Sequence, residues 1–206
     1  MLVAQPELPS CAVETARRWF VEYLCKPHEL LGRDGAICPF VAPAIKAGSV
    51  ASMERPVAAD IDVDGMVAIV HDMADGFESV RWPGHGDSLR ALVWVLTGIP
   101  DEKLTLLDEA HRNTKADLVQ RGFILGQFHP HCQETAVHNP DFLISRAPVP
   151  MLGLRRMAFH DVLFLNSDPH WFSAYQQRYG DRYESSSVAS PALVEMYRQA
   201  CDRWNR

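Results

Sequence analysis

The sequence predicts a single α+β domain, a few-stranded sheet packed with about six helices. Three observations predict it. Several segments carry apolar residues at helical spacing. One short apolar run, Phe123–Phe128, lies between Gly122 and Pro130 as a strand does. Strands and helices do not alternate with the regularity of a doubly wound parallel sheet. A length of 206 residues fits one domain, residues 1–206, around one core.

In chain order, Ala12, Ala16, Trp19, Phe20 and Tyr23 form a helical stripe over about Ala12–Cys25, closed by Pro27. Gly32–Pro43 reads as a loop. Ser49–Pro56 reads as a strand, although Val50 and Met53 alternate poorly. Val63, Met66, Val67, Val70, Met73, Ala74 and Phe77 define an amphipathic helix capped by Asp60 or Asp62. Ser79–Trp82 suggests a short strand, and Asp87 or Ser88 can cap a helix through Leu96, ended by Gly98 and Pro100. A further helix runs from Asp101 to about Arg121. His129–Pro150 is a long loop with four prolines, and a loop of that length inside a compact domain carries function or is disordered. Met151–Met157 is the next strand. Pro169–Tyr179 and Pro191–Trp204 are helices, the last with Pro191 in its first turn and Ser190 as cap.

Composition narrows the function classes. Apolar residues make up 47% and charged residues 22%, ordinary for a globular protein. No run approaches the ~20 apolar residues that span a bilayer. The first ten residues lack the basic start of a secretory signal, so the expected address is the cytoplasm. A net charge of −6 argues against nucleic acid as a partner. Five cysteines at wide spacings, with no CxxC, read as reduced thiols rather than a disulfide frame or a zinc site.

The chemistry-bearing residues concentrate after the best strand. His129-Pro130-His131-Cys132-Gln133-Glu134, with His138 behind, begins where Phe123–Phe128 ends, and catalytic groups are commonly mounted where a rigid element enters a loop. Solvated histidines on a surface loop would give the same pattern. His129, His131 and Glu134 could form a two-histidine, one-carboxylate metal site, but Pro130 restricts His129 to extended geometry, so the rings need not converge. Cys38-Pro39-Phe40 places a thiol before a proline, as in haem-thiolate sites, although a buried structural cysteine does the same. Arg146, between Phe142–Ile144 and two prolines, offers a planar fork for a carboxylate; Arg155 and Arg156 read equally well as solvated. His85, in Trp82-Pro-Gly-His-Gly-Asp87, reads as a turn and not as a phosphate loop.

Cys38-Pro39-Phe40 followed by Ala44 and Gly48, a helical middle, Gly126-x-Phe128-His129-Pro130, Asn139-Pro140 and Arg146 in a proline-rich turn resembles the small haem-dependent N-hydroxylases related to the YqcI/YcgG family. The resemblance covers roughly Ala36–Leu165. It implies haem b (iron), dioxygen or peroxide as oxidant, and a guanidino substrate such as L-arginine, hydroxylated to Nω-hydroxy-L-arginine in antibiotic biosynthesis of the D-cycloserine type. On that basis His129 is the first choice of axial iron ligand and Cys38 its rival. Arg146 would meet a haem propionate or the substrate carboxylate, and Glu134 or Asp87 the guanidinium. Non-haem metal chemistry at His129/His131/Glu134, or a non-catalytic haem carrier or sensor, are the competing expectations. A small molecule is the expected partner, with no membrane; the terminal helix faces suit a homodimer as well as a core.

Overall fold

The computed structural model describes residues 10–82, 87–185, 188 and 190–204, and only the backbone of Asp87. His85 and the side chain of Asp87 therefore lie outside the described residues. Helix α1, Cys11–Trp19, opens where the Ser10 hydroxyl accepts from the amide of Val13. It runs straight into a π-helical turn, Phe20–Leu24, sealed by the bond from the Cys25 amide to the Phe20 carbonyl. The chain then forms the short α2, Val41–Lys46, and strand β1, Val50–Pro56. Helix α3, Val63–Gly76, is capped by Asp62, whose carboxylate accepts from the Gly65 amide at 2.9 Å.

Strand β2, Ala91–Thr97, occupies the stretch for which Asp87 and Ser88 suggest a helix. Those two residues open a 3-10 turn, Asp87–Leu89, instead. Leu92 to Leu96 are all buried, so both faces of β2 are covered. A strand buried on both faces has no period-two alternation and mimics a buried helix in sequence. Ser79–Trp82 is not a strand; a 3-10 turn, Phe77–Ser79, follows α3.

Helix α4, Thr105–Gln120, leads into β3, Phe123–Phe128. The long loop contains a small antiparallel pair, β4 (Thr135–Ala136) and β5 (Asn139–Leu143), before β6, Met151–Arg156. The chain ends in α5 (Val162–Leu165), α6 (Pro169–Glu184) and α7 (Pro191–Trp204). Asp168 caps α6 by accepting from the amides of His170 and Trp171, with Pro169 preset in the first turn. Among the described residues no helix is long and apolar enough to cross a membrane.

The main sheet has the order β1-β2-β6-β3. β1 and β2 are parallel, and β6 runs antiparallel to both β2 and β3. Two crossovers, through α3 and α4, thus link three strands of one direction, and β6 is inserted among them. The domain is α+β, with more strand–helix alternation than its sequence suggests, because β2 is silent in the pattern.

Alternation along the strands separates two cores. Leu92, Leu96, Phe123, Leu125, Leu152 and Leu154 face α3 and α4, meeting Met66, Phe77, Leu107 and Leu118. Val93, Val95 and Met151 face the opposite way, towards Val13, Ala16, Phe20 and Leu24. A third cluster joins α5, α6 and α7 to Val119 and Met157. Leu154 is fully buried on the α3/α4 side. Truncating a buried leucine loses its transfer energy and leaves a cavity, so Leu154→Ala should cost about 2–5 kcal/mol. Urea unfolding measures it; a loss below about 1 kcal/mol would show that the helices do not close this face.

Candidate functional site

A cavity of about 530 Å³ lies over the opposite face of the sheet and extends round the β3 edge to α4. That size lies within the roughly 300–1,000 Å³ of small-molecule and cofactor sites. Val50, Ala91, Val93, Gly153, Arg155, Ile124, Gly126 and Phe128 line it from the strands, and Phe20 and Leu24 from the π-helical turn. π-turns are rare and concentrate at functional sites. Gly126 and Gly153 are paired in register across β3 and β6. A Cβ on Gly126 would stand 2.9 Å from the Phe128 ring, and one on Gly153 3.3 Å from it. The ring therefore lies over two bare backbones, and side chains there would displace it. Trp19 braces the same ring edge-on, with centroids 5.5 Å apart.

The segment before α2 forms another wall. The Cys38 amide donates to the Leu24 carbonyl at 2.9 Å and the Ile37 amide to the Lys26 carbonyl at 2.8 Å. The Arg33 guanidinium grips the carbonyls of Asp34, Ala36 and Ile37. Cys38, half-buried, is thereby held on the cavity lining with Pro39 and Phe40. Phe40 carries the Arg155 guanidinium over its ring at 4.3 Å, and Arg155 makes two 2.7 Å bonds to the fully buried Asp161 carboxylate. Glu134, exposed, is also on the lining, as are Ser88 and Leu89, which follow Asp87.

His129 lies elsewhere. Phe128 faces the cavity, so the next residue faces α4. The His129 ring is fully buried, with Nε2 3.1 Å from Asp108 of α4, and it does not line the cavity. Its Nδ1 is buried without a partner among the described residues. His131 turns outward to Asp101 at 3.0 Å, more than half exposed. The His129/His131/Glu134 trio is therefore not assembled. Among the described residues the trio whose donor atoms converge, all within 4.8 Å, is Asp108, His129 and Cys132. Arg146 is exposed and donates from Nε to the Cys132 carbonyl at 3.4 Å, away from the cavity. The loop pattern does not single out two cations that do line the cavity, Arg33 and Lys115. Asp108 carries no local signal of a site, since an acid in the first turn of a helix is an ordinary feature. The glycine pair does carry one, since a glycine inside an apolar strand marks a close approach.

His111 of α4 completes the polar lining. Burial, and then the neighbouring Lys115 ammonium, hold its imidazole well below the ordinary value of 6.5, at about 4. Between those two pH values the unfolded chain takes up a proton that the folded chain refuses. The corresponding stability is complete above pH 6.5 and is lost as pH falls towards 4. His111→Gln should remove this part of the acid sensitivity. Urea midpoints at neutral and mildly acid pH should therefore fall less in the variant than in the wild type, and equal falls would place the responsible group elsewhere.

No match to the chain is found among curated proteins or among solved structures. A family model described as a domain of unknown function, DUF6875, matches residues 13–190. That span takes in most of α1, the whole sheet, the cavity and the Asp108/His129/Cys132 cluster, and the chain belongs to the DUF6875 family.

Proposed function

We propose that the chain is a haem-dependent oxygenase that hydroxylates a guanidino nitrogen, with L-arginine the first substrate to test. The single observation that carries this reading is the apolar cavity over the Gly126–Gly153 pair with the Cys38 thiol on its wall. A haem is planar and largely apolar, with two carboxylates and one axial requirement. The cavity offers a floor where one ring, Phe128, lies over a bare glycine pair, apolar walls from Phe20, Leu24 and Ile37, and a thiol on a pinned loop. The residues fit the group.

In this reading Cys38 would hold the iron, because it lines the cavity whereas His129 faces α4. Lys115 would meet a propionate, since the Arg155 guanidinium is committed to Asp161 and that of Arg33 to the carbonyls of Asp34, Ala36 and Ile37. Bound haem would supply, with dioxygen or peroxide, the oxidising power that no side chain has. The chain's own part is orientation and exclusion of water. Glu134 on the lining receives the guanidinium through paired N–H bonds, which brings one substrate nitrogen into the cavity. The apolar walls keep bulk water from the oxidant.

Hemin titrated into the full-length protein tests the reading. The expected result is uptake of one equivalent, a ferric spectrum changed by Cys38→Ser, and a spectral shift on adding L-arginine that Glu134→Gln abolishes. Failure to take up hemin, in a protein that also purifies colourless, would remove the proposal. Uptake with a spectrum indifferent to Cys38→Ser would remove the thiolate.

A further inference from the structure

We propose that Asp108, His129 and Cys132 form a second site, separate from the cavity, that binds one divalent cation of the zinc class. The inference does not rest on the haem reading. Three segments converge here: α4 brings the carboxylate, the end of β3 the imidazole, and the following turn the thiol. The turn is preset, since the Cys132 amide donates to the His129 carbonyl at 3.1 Å and the Ala147 amide donates to the same carbonyl at 3.3 Å. Two ligands three positions apart are thereby fixed on one side of the chain.

The spacing fits the ion. Bonds of about 2.3 Å to sulfur, about 2.0–2.1 Å to imidazole nitrogen and about 2.0–2.2 Å to carboxylate oxygen give tetrahedral edges of roughly 3.3–3.6 Å. Asp108 straddles its two neighbours, with Oδ2 3.1 Å from His129 Nε2 and Oδ1 3.6 Å from Cys132 Sγ, and one donor atom from each residue lies within 4.8 Å of the others, so the side chains need close by only about 1 Å to reach those edges. One sulfur, one nitrogen and a carboxylate make a donor set of intermediate softness, which suits zinc or cobalt better than magnesium or calcium.

Charge and access agree. A divalent ion with one carboxylate, one thiolate and one neutral imidazole has no net charge, and a buried site tolerates a neutral complex far better than an isolated ion. His129 and Cys132 are fully buried, whereas the Asp108 side chain keeps 18% of its surface, so the carboxylate is the door to solvent. Three protein ligands leave a fourth position for water, the arrangement of sites that do more than brace a fold.

Cobalt is the probe. Full-length protein stripped with a chelator is titrated with Co²⁺, and the thiolate-to-cobalt charge-transfer absorption is followed. One equivalent should produce the band. Cys132→Ser should lose it, and Cys38→Ser should keep it. A band that survives Cys132→Ser, or its absence in the wild type, overturns the site. Should Cys132→Ser fail to fold, Asp108→Asn replaces it and must bind Co²⁺ more weakly than the wild type; unchanged binding overturns the site equally. On the wild type, Zn²⁺ but not Mg²⁺ should raise the melting temperature. An unshifted melting temperature with Zn²⁺ contradicts a buried site of three ligands.

Discussion

The structure hangs on the insertion of β6, antiparallel, between β2 and β3. Two parallel crossovers alone would leave β2 and β3 side by side with helices over one face. β6 separates them and supplies each side of the sheet with what it needs. Its Leu152 and Leu154 point into the core under α3 and α4, while Gly153 and Arg155, one residue out of phase, reach the cavity. A slip of one residue in its pairing would exchange those sets, burying Arg155 in the leucine core and filling the cavity floor with leucines. Register is therefore the condition for both stability and the site, and it is fixed by the cross-strand partners that β6 finds along β2 on one side and β3 on the other.

The same parity explains which functional residues can be read in the sequence. The helices α3 and α7 and the strand β3 are legible because each shows a clear period or a clear flank. β2 is not, since an apolar run from Leu92 to Leu96 is covered on both faces and carries no alternation. α2 is hidden by Pro43, which is tolerated because it falls in the first turn of a six-residue helix. Among candidate ligands, Cys38 and Glu134 do line the cavity. His129 does not, and the reason lies in the pattern itself: Phe123 and Leu125 belong to the helix-facing core, and counting on by twos puts His129 with them. What no periodicity can supply is Asp108, a residue 21 positions away that becomes a partner only once α4 packs beside β3.

The two polar centres are held by different kinds of restraint. Cys38 depends on backbone: its amide, that of Ile37 and the Arg33 guanidinium anchor a segment with no regular structure against the π-turn. Such anchoring fixes the main chain and leaves the thiol free to meet whatever enters. His129 and Cys132 depend on packing and on each other, through one carboxylate that touches both. Burial pushes the Cys132 thiol up to about 11, so it stays protonated at neutral pH unless a cation competes for the sulfur. The half-buried thiol is reachable from the cavity, whereas of the trio only the Asp108 side chain keeps any exposed surface.

Phe128 is where these arrangements touch. It ends β3 with its ring over the Gly126–Gly153 pair, braced by Trp19, and its backbone leads directly into His129. Any ligand that moves the ring in the cavity must work against the Trp19 contact or turn the strand end that carries the imidazole. The β3 pairing with β6, which reaches Phe128 opposite Met151, holds the strand end and its histidine in place.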